Sequence, residues 1–258
     1  MIKTKTYNLK IIETKRQIEV WDYEKPVFSE YGKRTGRKRK FEEMSTLEKA
    51  ESIKRRDKYY RNKKEEIRRI VEMNMDKRSS FLTLTQDEKK SNIKGNIEIG
   101  NNEFEKFIKR FKRYLKNNYK INRIKYIATW ELTKKGMMHY HIVLFSIPFI
   151  PVIKIAELWG HGSVDIRKID HVPDCEIGIY ISKYFAKDLE MKASNKKAYF
   201  TSRNLLKADI HKLSLDKSKF KIDDFGNPCF ASEYERKDPI TEEKSKVNYY
   251  VIKKSVVK

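Results

Sequence analysis

Glu131, His139 and His141 are the residues whose types and spacing most directly suggest chemistry. The segment Ile124–Thr133 is rich in β-branched and aromatic residues, Lys134-Lys135-Gly136 supplies a turn, and Met138–Ser146 returns; this pattern predicts a β-hairpin. Side chains alternate along a strand, so His139, His141, Val143 and Phe145 share one face, and Tyr140, Ile142 and Leu144 the other. Folding about the turn sets Glu131 opposite His139, and opposed residues of an antiparallel pair point to the same side. Two imidazoles and a carboxylate then converge, a set suited to a divalent metal that keeps positions open for a phosphate. Two histidines flanking one residue are equally the pattern of ordinary half-buried strand side chains.

A second constellation follows at Tyr180, Lys183, Tyr184 and Lys187. Residues four apart on a helix stand one turn apart on the same face. The two tyrosines therefore project together, each with a lysine nearby, while Ile177, Ile179, Ile181 and Phe185 form the apolar set and leave the tyrosines on its flank. A tyrosine hydroxyl has a pKa of about 10 and attacks poorly unless its anion is stabilised. A lysine and a metal-polarised phosphate would each help. Attack on a DNA phosphodiester leaves a 5′-phosphotyrosine and a free 3′-hydroxyl, and the reaction can be reversed to rejoin strands.

Several elements must position these groups. Ser80–Thr85 alternates as a strand, with Phe81, Thr83 and Thr85 on one face and Leu82 and Leu84 on the other. Asn102 caps a helix whose stripe is Phe104, Phe107, Ile108, Phe111 and Leu115. Ser45 and Glu48 have capping-box spacing and open a charged helix reaching Met75. Val152–Trp159 reads as a short helix stopped by Gly160, Ser163–Ile169 as a strand, and the tyrosine helix runs from Pro173 to about Met191. Ser194–Arg203 reads as a polar loop. Tyr7–Val20 has the mixture of a short hairpin, and Tyr249–Ile252 is strand-like.

Lys and Arg exceed Asp and Glu by 59 to 36 in 258 residues, a formal charge of +23, which points to a polyanionic partner, most often nucleic acid. No apolar run is long enough to span a bilayer and no apolar signal core opens the chain, so a cytoplasmic protein without a membrane partner is expected. Two cysteines, Cys175 and Cys229, stand in no paired motif. A phosphate-binding loop of the nucleotide-driven motors is absent from the sequence.

Taken together, these motifs resemble the HUH endonuclease superfamily, and within it the rolling-circle replication initiators of phages and plasmids. Phe81–Thr85 is similar to the first strand motif, His139-Tyr140-His141 to the His-hydrophobe-His motif, Glu131 to a third metal ligand, and Tyr180–Lys187 to the two-tyrosine nucleophile motif. The resemblance spans about residues 80 to 190, and Tyr199–Arg203 extends it. It implies an α+β fold, a central antiparallel sheet of about five strands with flanking helices. It implies Mg²⁺ or Mn²⁺ held by Glu131, His139 and His141; catalysis by Tyr180 and Tyr184 with Lys183 and Lys187; and DNA contacts from Thr83, Thr85, Lys134, Lys135 and Arg203. The expected organisation is a basic, partly helical N-terminal extension (1–78), the nicking and joining domain (79–203) and a β-rich C-terminal extension (204–258). The expected activity is metal-dependent, site-specific nicking and strand transfer on single-stranded or hairpin origin DNA in a prokaryotic cytoplasm. A separate helicase and host replication machinery are expected partners. A transposase or relaxase of the same superfamily, or a non-catalytic single-strand-binding protein, are the competing readings.

Overall fold

The computed structural model describes residues 6–28, 41–90, 96–169, 199–238 and 241–254. Its fold is α+β, with two antiparallel five-stranded sheets and three α-helices. The chain divides into two compact units. One is made of residues 1–53 and 207–258, the other of residues 54–206.

The second unit carries the anticipated hairpin. Strands β3 (Ser80–Thr85), β4 (Lys125–Leu132), β5 (Met138–Phe145), β6 (Val164–Lys168) and β7 (Tyr199–Thr201) are ordered β6-β3-β5-β4-β7, so β5 lies in the middle. Its even positions Tyr140, Ile142 and Leu144 face helix α2 (Ile97–Tyr119) and join Phe104, Phe107, Phe111 and Trp159 in the main core. Its odd positions Val143 and Phe145 face the other way, where Ile67, Ile70, Val71 and Met75 cover them. The first three of these lie on helix α1 (Thr46–Asn74). Helix α3 (Val152–Trp159) ends at Gly160, which takes φ 72°, as its sequence pattern requires.

Two boundaries differ from the sequence reading. Helix α2 begins at Ile97, because Asn96 Oδ1 accepts hydrogen bonds from the N–H groups of Glu98 and Ile99, both 3.1 Å; the expected cap, Asn102, lies inside the helix. The polar stretch before Arg203 contains strand β7. Phe200 is buried against the main core and pairs with Ala128, so tertiary packing outweighs the loop-like composition. The tyrosine helix falls on residues outside those described.

The first unit contains β1 (Thr6–Glu13), β2 (Gln17–Phe28), β8 (Asp209–Leu213), β9 (Phe230–Lys237) and β10 (Lys244–Lys253), ordered β8-β1-β2-β10-β9. The two ends of the chain, treated by the sequence reading as separate extensions, thus share one sheet. One face buries Leu9, Ile11, Val20 and Ile252, against which Phe220, Ile222 and Phe225 pack.

Candidate metal centre

Register brings the three candidate ligands together. In β4 and β5, Glu131 pairs with His139 and Thr129 with His141; on the other side of β5, Thr85 pairs with His139 and Thr83 with His141. Two adjacent rows therefore cross the sheet on one face: Thr83, His141, Thr129 and Tyr199, then Thr85, His139 and Glu131. The core beneath α1 ends at Val143, and the polar rows begin one step further along β5.

Each ligand is held by its neighbours. Glu131 Oε1 lies 3.2 Å from His141 Nε2, and both side chains are largely buried. Thr83 Oγ1 lies 3.3 Å from His141 Nδ1. Phe81 stacks on the same imidazole with centroids 5.7 Å apart and planes at 17°. The rings of His139 and His141 sit 6.3 Å apart and nearly perpendicular, at 77°. With Nε2 turned toward a ligand, the Nδ1–H of His141 donates to Thr83 Oγ1, which fixes the tautomer and orients the ring.

Donor geometry and chemistry suit a metal. One donor atom from each of Glu131, His139 and His141 lies within 4.8 Å of the other two. Two oxygen or nitrogen ligands on one small divalent ion stand about 3 to 4 Å apart, so slight closure completes the set. Two neutral imidazoles and one carboxylate leave an ion with net positive charge and open positions, the arrangement needed to polarise a phosphate. The donor set does not fix the metal's identity.

Close approach of the backbone frames the site. Gly162, at φ 153°, lies so near β3 that a Cβ there would come within 2.1 Å of the Thr85 carbonyl oxygen. That carbonyl also accepts the Trp159 indole N–H at 3.1 Å. Gly100 brings α2 against the start of β5, where a Cβ would meet Met138 Sδ at 2.2 Å. Tyr140, between the histidines, faces the opposite core and donates to Asn101 Oδ1 at 3.2 Å. Burial pushes its hydroxyl far above the usual phenol range, which removes it as a nucleophile.

Of the expected DNA-contacting residues, Thr83 and Thr85 flank the histidines in register. Lys134 and Lys135 are exposed at the β4–β5 turn, where Gly136 takes φ 78°. Arg203 is exposed beyond β7 and, with Lys112 and Arg123, lines a cleft of about 680 Å³. Tyr180, Lys183, Tyr184 and Lys187 fall outside the described residues. Sequence reasoning missed Tyr199. It lies in the row of His141, pairs with Thr129, and has Lys63 Nζ 6.0 Å from its ring centroid. Only the pairing of β7 with β4 could have revealed it.

A family model for replication-associated proteins of the ORF2 type matches residues 79–189. The matched segment holds β3 to β6, all three metal-ligand candidates, and Tyr180 and Tyr184. Over this segment the chain is thus similar to replication-associated proteins. No curated protein and no solved structure matches the chain.

Proposed function

We propose that this protein is a metal-dependent nickase and strand transferase of the HUH type that initiates rolling-circle replication. The observation that carries the reading is the convergence of Glu131, His139 and His141 within the segment matched by a replication-associated family. Glu131, His139 and His141 would hold Mg²⁺ or Mn²⁺, which supplies Lewis-acid polarisation of the scissile phosphate. Tyr180 or Tyr184 is the nucleophile, assisted by Lys183 and Lys187. The tyrosine oxygen bonds to phosphorus, the P–O3′ bond breaks, and the departing oxygen takes a proton to become a 3′-hydroxyl primer. The exposed Lys134, Lys135 and Arg203 supply phosphate contacts, while Thr83 serves His141 directly. The substrate is single-stranded or hairpin origin DNA in the cytoplasm of a prokaryotic host, with unwinding supplied by a separate helicase and extension by the host replication machinery.

The test is incubation of the full chain with end-labelled single-stranded origin DNA and Mn²⁺, resolved under denaturing conditions. A label that shifts with the protein, and is lost only when Tyr180→Phe and Tyr184→Phe are combined, is the expected outcome for a two-tyrosine enzyme. Loss with one substitution reduces it to a single-tyrosine enzyme. Confirmed binding without cleavage or adduct, with metal present, overturns the catalytic reading.

A further inference from the structure

The first unit lies almost wholly outside the segment matched by the replication family, and its sheet carries an unusual row. Antiparallel register aligns Lys212 with Lys10, Lys10 with Trp21, Trp21 with Tyr249, and Tyr249 with Ser232. Opposed residues share a face, so this row crosses all five strands on one side. The rows on either side place Phe230 and Tyr234 on that face, through the pairs Val251–Phe230 and Val247–Tyr234. The opposite side is the one packed by Phe220, Ile222 and Phe225.

Chemistry along this face is aromatic and cationic. Trp21 and Tyr249 have ring centroids 4.8 Å apart, and Phe230 lies 6.2 Å from Tyr249. Lys10 Nζ sits 4.5 Å from the Trp21 ring centroid. Phe230 and Tyr234, on the outermost strand, are 54% and 45% exposed. Among the described strand residues, one carboxylate belongs to the face: Glu19, fully buried, accepts the Tyr249 hydroxyl at 3.1 Å and so anchors that ring. Arg236 is held by Asp238 at 3.5 Å. The exposed charge along the row is therefore that of Lys212, with Lys10 half-buried beside Trp21.

We propose that this face is a stacking platform for single-stranded DNA. Unpaired bases stack on the aromatic rings and the phosphates between them meet Lys10 and Lys212. Base-on-ring stacking tolerates any sequence because every base has a π-face, and cations beside the rings add affinity for the backbone. Duplex DNA cannot use the surface, since its bases are already stacked on one another. The choice of DNA as the polymer rests on the proposed nickase function. The platform would hold the strand near the enzyme independently of the metal centre.

The three tryptophans make the proposal readable in the full-length protein. Trp130 and Trp159 are fully buried and Trp21 is half-buried, so solvent-borne quenching reports on Trp21. Titration with a thymidine oligonucleotide is expected to quench the tryptophan emission, and Trp21→Phe is expected to abolish that quench. The double substitution Phe230→Ala with Tyr234→Ala should weaken binding by about tenfold; both side chains are about half exposed, and far-ultraviolet circular dichroism checks that the fold is kept. Equal quenching by duplex of the same sequence, undiminished quenching in Trp21→Phe, or wild-type affinity in the double variant each overturns the platform. Cleavage is read on the same samples. Quenching without cleavage counts against the nickase alone, and cleavage without quenching against the platform alone.

Discussion

The two sheets have the same number of strands and the same antiparallel pairing, yet their central strands do opposite work. In β5 every residue but His139 is buried, because helices cover both faces. In β2 the burial pattern is broken, and Trp21 and Asp22 stay half-exposed. A strand packed on both faces has few alternative arrangements, which suits the placement of ligands to within fractions of an ångström. A strand packed mainly on one face keeps aromatic surface available for a ligand with no fixed geometry. One sheet is built for a point, the other for a length of polymer.

The comparison is broken most sharply at His141. His141→Ala should lower metal-dependent cleavage by about a thousandfold, the several kcal/mol of charge stabilisation that a Lewis acid provides. Single-turnover cleavage with saturating Mn²⁺ measures it. A loss of only a few-fold would mean that the site positions nothing essential.

Next comes the same residue type placed in each sheet. Phe104 is fully buried, stacks on Tyr140 at 4.6 Å and meets Phe200 at 4.7 Å. Phe104→Ala should cost about 3 to 5 kcal/mol, by lost burial and the cavity left behind. Phe230→Ala, half exposed, should stay within about 0.5 kcal/mol of wild type. Urea denaturation of both variants decides this. Similar losses from both would mean that the face of Phe230 is a core and not a platform.

Smaller again is the effect of the hydroxyl beside His141. Thr83→Val keeps the side-chain shape and removes the partner of Nδ1. Metal affinity should fall by about 10- to 100-fold, the usual cost of losing a group that orients a ligand. Mn²⁺ titration measures it, and Thr83→Ser should restore most of the affinity.

How much of this was legible in the sequence depends on how local the determining pattern is. Hairpin β4–β5 was legible to the residue, since alternation fixes the faces and a short glycine turn fixes the register; Glu131 opposite His139 follows from those two facts. The capping box was legible too: Ser45 N–H donates to Glu48 Oε2 at 2.9 Å, and Glu48 N–H to Ser45 Oγ at 3.3 Å. Strand Ser80–Thr85 was readable, but the meeting of Thr83 with His141 was not, because the register between β3 and β5 is set by packing across 58 positions of sequence. Pairing of β1 and β2 with β8 and β10 is less local still, and nothing in either end of the chain names its partner. Tyr199 and Phe200 lie in a strand of three residues, too short for alternation to register as a period. The expected helix of Tyr180 and Tyr184 lies outside the described residues, so the nucleophile half of the site rests on the sequence pattern.

The smallest expected effect separates the two sheets by acid. Asp76, between α1 and β3, reaches across to the end of β5. Partial burial alone would push its carboxyl up. Hydrogen bonds from Ser146 Oγ, from Arg78 N–H at 2.9 Å, from Ser79 Oγ at 3.0 Å and from Ser146 N–H at 3.3 Å outweigh this and hold it below the usual carboxylate range. A depressed folded pKa contributes stability that is fully present above the unfolded value of about 3.9 and is lost as pH falls through the folded value. Asp76→Ala should therefore cost about 1 kcal/mol at neutral pH, after allowance for its exposure to solvent, and nothing once the wild-type carboxyl is protonated. Glu235 in the first unit is also held low, by the ammonium of Lys244, but this pair is fully exposed, and Glu235→Gln should leave stability unmoved. Urea midpoints from pH 7 down to pH 3 test both. A gap between wild type and Asp76→Ala that persists unchanged into acid would assign the effect to packing at Ser146 and not to the carboxylate's charge.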